Sequence, residues 1–369
     1  MKSIPGHKLP STATPRSRST SGRMLAGLAL ALPALFGAAA AQAQAQAQAI
    51  TIKFSHFLPA NSGFNQKVAL PWCAAIEKDS GGKMKCQLYP SLALGGTPAQ
   101  LADQVKNGVA DVVWTSPSYS TGRFPRTEAL ELPFTLPGDG LMASRAMWDY
   151  VQQYAMADFK DFKLLAIHSG GNSVISTASK PILSADDLKG LKLRSPSRFA
   201  ALFLSSLGST PVNMPLAQVT EGISKGVIDG AMIPWEVLPA IKVDEVTRYH
   251  MEGMASQPGF IQTPMAVMMN KAKYDSLAPE LKAVIDKHSG STLVDLTGKA
   301  WDEGIADTRK RLAAQGNKTL VIKDADYNAL KKTTASVEAD WIKQANARGL
   351  DGSQLAAAVH SVGSKYLGK

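Results

Sequence analysis

Between Ile50 and Trp114 the apolar pattern changes period at every element, and this alternation constrains the fold more than any other feature. Ile50 to Phe57 (ITIKFSHF) alternates like a strand and stops before Pro59. Asn65 to Ser80 places Val68, Trp72, Ala75 and Ile76 on one helical face, and Gly81-Gly82 ends it. Met84 to Tyr89 is a second strand closed by Pro90. Thr97 to Asn107 is a helix stopped by Gly108, and Ala110 to Trp114 (ADVVW) is a short buried strand. Strand and helix in strict alternation predict a parallel sheet with helices on its faces.

The rest of the chain continues in the same style. Thr115 to Gly140 is a long Pro/Gly-rich loop of the kind that serves as a lid or carries function. Leu141 to Phe159 is helical and Lys163 to His168 is a strand. Ser169-Gly170-Gly171-Asn172 reads as a flexible corner and as the first crossover into a second domain. Strands follow at Val174 to Thr177, Leu191 to Arg194, Thr210 to Asn213 and Ile228 to Ile233, with helices at Arg198 to Leu207 and Leu216 to Lys225. Tyr249 to Met269 is extended and returns to the first domain. Ala278 to Gln315 is helical with a break near Gly290, and Tyr327 to Leu367 holds two more helices. The expectation is an α/β fold of two domains, each a sheet flanked by helices. Residues 50–170 and about 258–290 form domain I, residues 171–257 and about 300–369 form domain II, and the ligand cleft lies between them.

Residues 1–49 read as a signal peptide. They carry Lys2, Lys8, Arg16, Arg18 and Arg23 and no acid, then an apolar run from Met24 to Ala41, then small-residue cleavage options in AQAQAQAQA. The apolar run is short for a membrane span, so the mature protein is expected in the periplasm. Removing this segment lowers the net charge from +10 to +5. No basic run with interleaved aromatics remains, which gives no case for nucleic acid. Cys73 and Cys86 are the only cysteines. Export permits a disulfide between them, two buried thiols being the other reading. Two cysteines without clustered histidines do not make a metal site, and no metal is expected.

The chemistry of an enzyme is missing. No G-x-G-x-x-G, P-loop or G-x-S-x-G pattern occurs, and no H-x-x-x-H pair. Paired carboxylates occur only as solvated helix faces, such as Asp186-Asp187. No catalytic residue and no cofactor is predicted. A cleft between two α/β lobes suits a binding protein, with an exported hydrolase as the reading from another class. The strongest candidate for a ligand contact is Arg194. It ends an apolar strand and is followed by Ser195-Pro196, which puts it at the carboxyl edge of a sheet, where ligands bind. Its planar fork of donors matches a carboxylate.

Several long stretches, in order, resemble the extracytoplasmic solute-binding proteins of TRAP transporters (the DctP type). They are SHFLPANSGFN (55–65), SLALGG with TPAQLADQVKNGVADVVW (91–114), ELPF (131–134), DLKGLKLRSPS (187–197), GSTPVNMPLAQVTEGISKGVIDGAM (208–232) and VMMNKAKYDSLAPELKAVI (267–285). The resemblance covers about residues 50–369. It implies a periplasmic-binding-protein-like fold with a long helix running along both domains. It implies an organic acid ligand, a monomer and delivery to the membrane permease subunits. Arg194 falls on the family's carboxylate-binding arginine. Two departures stand out: Val174 occupies the slot of a second arginine in many members, and Met232-Ile233 stand where Glu and Asn often do. Both remove polar partners, so the site suits one carboxylate on an apolar body. A small C4-type dicarboxylate or a sugar acid is the alternative ligand.

Trp114 and Trp235 each follow or end a strand at a carboxyl edge and, with Met232 and Tyr119, are the candidate apolar walls. His56 and His168 end strands and are candidate donors to a keto or hydroxyl oxygen. Phe124 is a further candidate for the apolar wall, whereas Phe203, on a helix face, fits core packing better. Arg123 and Arg126 fit ion pairs better. Glu236 follows its aromatic in the wrong order for the cation site that some keto-acid binders of the family hold. Gln262 to Met265 lies on the returning segment, beside the expected cleft.

Overall fold

The structure is a computed structural model, and it describes residues 49–368. The expected export signal therefore lies, but for Ala49, outside the described residues. Ten strands line up as β2-β1-β3-β9-β4-β7-β5-β6, with β8 and β10 attached beside β4. They are β1 Ile50–His56, β2 Met84–Tyr89, β3 Val112–Thr115, β4 Phe162–Thr177, β5 Lys192–Ser195, β6 Thr210–Asn213, β7 Gly230–Pro234, β8 Tyr249–Glu252, β9 Gln262–Asn270 and β10 Lys318–Val321. The alternation of strand and helix in residues 50–114 and 191–233 yields parallel pairs as expected: β1 with β2 and β3, β5 with β6 and β7.

The sheet as a whole is mixed, which corrects the purely parallel expectation. Strand β9 runs antiparallel to β3 and β4, and β4 runs antiparallel to β7 and β8. The reason is the length of β4. Its first part pairs with β9 and its last residues, Ser173 to Thr177, pair with β7. The segment Ser169 to Asn172, read from sequence as a flexible corner, is the middle of this 16-residue strand. Polar and glycine-rich residues belong there because the register shifts between Ser169 and Asn172. Gly171 adopts a φ of 91° at the bulge, a backbone that favours glycine. The bulge's polar groups are satisfied locally: Ser169 Oγ accepts from the Gly171 N–H at 2.9 Å and donates to Gln262 Oε1 at 2.7 Å.

The break expected near Gly290 separates the helices Pro279–Lys287 and Ser291–Ala314. The second of these contributes Leu293, Val294, Ala300 and Trp301 to the core beside β1 and β3, and Ile305 and Leu312 to the core beside β7. A single long helix thus spans both packing regions. The tail holds three helices rather than two, Asp324–Thr333, Ala335–Ala347 and Gly352–Tyr366. Their packing divides between two core clusters. Tyr327 and Leu330 pack with Ile175, Leu193 and Met232, whereas Trp341, Leu355 and Val359 pack with Val105, Met147 and Phe162. Amphipathic spacing says that a helix has an apolar face and not which sheet that face covers. Among the described residues, no helix is long and apolar enough to cross a membrane.

Cys73, in the helix Leu70–Asp79, is bonded to Cys86 on β2, with Cα atoms 5.5 Å apart and a sequence separation of 13. A closed loop of this size restricts the unfolded chain by about 3 kcal/mol. Reduction should lower the unfolding free energy in urea by about that amount. The Cys73→Ser/Cys86→Ser variant should show the same lower stability and no response to reductant.

Candidate functional site

Arg194 occupies the position on β5 that the sequence predicts, paired in register with Val212 of β6 and Ala231 of β7. Its side chain is nearly inaccessible, at 3% exposure. Nε donates to the Met214 carbonyl and Nη1 to the Met232 carbonyl, each at 3.3 Å. The Tyr119 hydroxyl contacts the guanidinium, and burial lowers the arginine's pKa from its ordinary value. Among the described residues no carboxylate lies within ion-pairing distance of it. A buried cation held by two long carbonyl contacts and a phenol leaves donors for an anion.

Tyr119 comes from the other side of the cavity. It ends the turn Pro117–Tyr119 that follows β3. The carboxyl edges of β1 and β3 supply Phe57 and Trp114, and the bulge of β4 supplies Gly170. Thr263 and Met265 of β9 and Trp301 of the long helix complete the wall that faces Pro196, Leu216, Pro234 and Val237. The space these residues bound is about 410 Å³. Arg194 is the only cationic residue on it among the described residues, and Thr263 Oγ1 has no hydrogen-bonding partner among them.

Trp114 is fixed from three directions. Its ring stacks on Phe57 at 5.0 Å and on Phe64 at 3.9 Å, within 11° of parallel in both cases. Its Nε1–H donates to His168 Nε2 at 2.8 Å. His168 Nδ1 lies 2.8 Å from the Ser169 carbonyl and must donate there, so Nε2 is free to accept. The imidazole is fully buried and uses both nitrogens while neutral. Burial pushes its pKa down to about 4. His168 therefore orients Trp114 and does not reach the cavity. His56 lies behind the same tryptophan. Its Nε2 is bonded to Asn65 Oδ1 at 2.9 Å, its ring meets Trp114 edge-on, and burial lowers its pKa.

The remaining candidates divide. Met232 contributes only its carbonyl, its side chain lying in the core with Leu193 and Phe203. Trp235 turns away into the core beside β7, donates to Glu252 Oε2 at 2.9 Å and packs against His250 with the two rings tilted by 45°. The residue before it, Pro234, faces the cavity instead. A strand's residues alternate sides, so the edge position alone did not fix which neighbour points in. Phe203 is a core residue as expected, and Phe124, a candidate for the wall, lies in the core as well. Arg123 pairs with Asp103 and Arg126 with Asp158. Val174 and Ile233 pair across β4 and β7 and pack in one apolar cluster. Among the described residues no group of three or more metal-ligating side chains forms. Phe57 and Trp301 were missed. Phe57 follows β1 at the same edge as Trp114 follows β3, a signal the strand pattern contained. Trp301 sits within an ordinary amphipathic helix and gave none.

Known proteins share the fold and much of the sequence. Residues 54–344 match the family model for bacterial extracellular solute-binding protein, family 7 (DctP). A TRAP solute-binding protein from Rhodoferax ferrireducens, solved with copurified benzoate, is 40% identical, with a TM-score of 0.83 over 86% of this chain and 98% of that one. A marine metagenome TRAP protein specific for aromatic acid ligands, solved with 3-hydroxybenzoate, is 41% identical, with a TM-score of 0.83 over 86% and 99%. One from Bordetella bronchiseptica with bound mandelate is 29% identical, with a TM-score of 0.78 over 86% and 99%.

The His168 assignment predicts a titration. With a folded value of about 4 against about 6.5 unfolded, its contribution to stability is complete above pH 6.5. It should be lost as pH falls from there toward 4. NMR of the imidazole should show no protonation of His168 at pH 5.5 in the folded protein.

Proposed function

The chain belongs to the bacterial extracellular solute-binding proteins of family 7, and from that membership we propose that it captures an aromatic monocarboxylate in the periplasm and delivers it to the permease subunits of a TRAP transporter. Proteins of this family serve transport rather than catalysis, which sets aside the exported hydrolase. The observation that carries the reading is the buried guanidinium of Arg194, without an acidic partner among the described residues, on a cavity walled by Phe57, Trp114, Tyr119 and Trp301.

A ligand carboxylate would accept from Arg194, and a flat apolar body would lie among the rings. Such a pair gains from the dry surroundings because water competes poorly there. A dicarboxylate or sugar acid would need further donors for its second charge or its hydroxyls. The walls offer one cation and few other polar groups, so burying those groups would be costly. The aromatic acids bound by the similar proteins from Rhodoferax and the marine metagenome support the same class.

Isothermal calorimetry of the mature protein with benzoate, phenylacetate, succinate and glucuronate tests this reading. The aromatic acids should bind and the other two should bind far more weakly. Arg194→Ala should weaken binding of the aromatic acids by at least about 30-fold, the effect of removing one partner of a buried charge pair. Its far-ultraviolet dichroism should be unchanged. Equal thermal stabilisation of the variant and the wild type by benzoate would sink the assignment of Arg194.

A further inference from the structure

The aromatic cavity has two different neighbours. Arg194 and Tyr119 separate it from an outer groove, whereas Leu58, Val237 and Trp301 separate it from a second cavity of about 780 Å³. Glu236 lines that second cavity and is seated against Gly171, in the β4 bulge. A Cβ on Gly171 would come within 2.9 Å of both its carboxyl oxygens and 3.0 Å of Pro234. A Cβ on Gly304 would come within 2.9 Å of the glutamate's own Cβ. The two glycines form a notch that the side chain fills. Gly170, the residue before Gly171, faces the aromatic cavity together with Pro234 and Trp301. The carboxyl group thus lies directly behind the floor, at the boundary that does not include Arg194.

Three polar atoms are unsatisfied at this place. Both carboxyl oxygens of Glu236 and Nε1 of Trp301 are buried, and although the indole N–H lies close enough to act on the carboxyl, no contact of these three atoms among the described residues has full hydrogen-bond geometry. Leaving such groups unpaired costs about 1–3 kcal/mol each, so a site of this kind is completed by something that pairs with them.

We propose that Glu236 and Trp301 form a second recognition point of the ligand cavity, selecting an aromatic acid that carries a hydroxyl group remote from its carboxylate. The proposal rests on the aromatic-acid reading above. A hydroxyl oxygen accepts from the Trp301 N–H while its O–H donates to the Glu236 carboxyl, so one group satisfies both sides. An aryl amine donates but, with its lone pair delocalised into the ring, accepts poorly from the indole, a methoxy group accepts but cannot donate to the carboxyl, and a ring hydrogen does neither. Burial pushes the Glu236 pKa up to about 8, so at neutral pH the group is an uncharged acid. It offers its carbonyl oxygen as acceptor and adds no negative charge to repel the incoming carboxylate.

The test compares benzoate with 3-hydroxy-, 4-hydroxy-, 3-amino- and 3-methoxybenzoate by isothermal calorimetry at pH 7, on the wild type, Glu236→Gln, Glu236→Leu and Trp301→Phe. The quantity read is the affinity ratio of each substituted acid to benzoate within one protein. In the wild type the better hydroxybenzoate should exceed benzoate at least about tenfold, and the amino and methoxy acids should not. The ratio should fall to within about twofold in Glu236→Leu and Trp301→Phe and be partly kept in Glu236→Gln, whose amide still accepts. Thermal melts of the ligand-free variants identify any that fail to fold, and Glu236→Gln, equal in size, keeps the comparison decisive. Equal affinity for benzoate and both hydroxybenzoates in the wild type, or a ratio that survives Glu236→Leu, overturns the second recognition point while leaving the role of Arg194 intact. Failure of every acid to bind the wild type overturns both.

Discussion

The structure is built around a cation it does not neutralise. Arg194 is buried to 3% exposure, and among the described residues only carbonyl oxygens and a phenol oxygen face its guanidinium. Removing a guanidinium from water without a counter-ion is unfavourable, and burial accordingly lowers its pKa. The surrounding fold has to over-determine its position. It does so by placing the residue on β5 between β6 and β7 and by taking the acceptor carbonyls from Met214, which follows β6, and from Met232, on β7. An anion bound there, as proposed, would remove this penalty, so that ligand and fold would stabilise each other.

The opposite wall shows the complementary economy. Its rings are locked before any ligand arrives. Trp114 lies between Phe57 and Phe64, and its one polar atom is consumed by His168, which in turn is held by the Ser169 carbonyl. A wall whose rotamers are already fixed loses little entropy when a ring docks on it. The histidine suits this use only while neutral, which its burial guarantees through most of the pH range. An ionised His168 would have no acceptor nitrogen and would leave the indole N–H unpaired in the core.

Sequence and structure part company where polarity and position carry different information. The edge location of Arg194 and Trp114 was legible because a strand ending in a polar residue or a Pro announces its own terminus. The inward neighbour at the end of β7 was not, since Pro234 and Trp235 are adjacent and only packing decides which faces the cavity. His56 and His168 were legible as edge residues and not as supports, because the residue each one serves is 54 or more positions distant or reached only through the fold. The tail helices were legible as amphipathic, yet which core each one covers depends on partners far away in the chain.

The reading of Ser169 to Asn172 as a flexible corner matters most for how the cavity could open. Glycine pairs in a sequence suggest slack, but these lie inside a hydrogen-bonded strand whose shifted register is held by Ser169 and Gln262. The long helix Ser291–Ala314 also runs without a break past both packing regions. Motion between the Tyr119 and Arg194 sides of the cavity would therefore have to be absorbed by bending of continuous elements, not by a loose linker. Bending concentrates where backbone bonding is already irregular, which on β4 is between Leu164 and Ala166 and between Ser169 and Asn172, the second shift holding Gly171. Glu236 is seated against that residue and against Gly304 of the helix. A group that fills the notch between the two bending elements would sense the closure of the cavity, and a ligand that completes its hydrogen bonds would favour the arrangement in which the notch is tight.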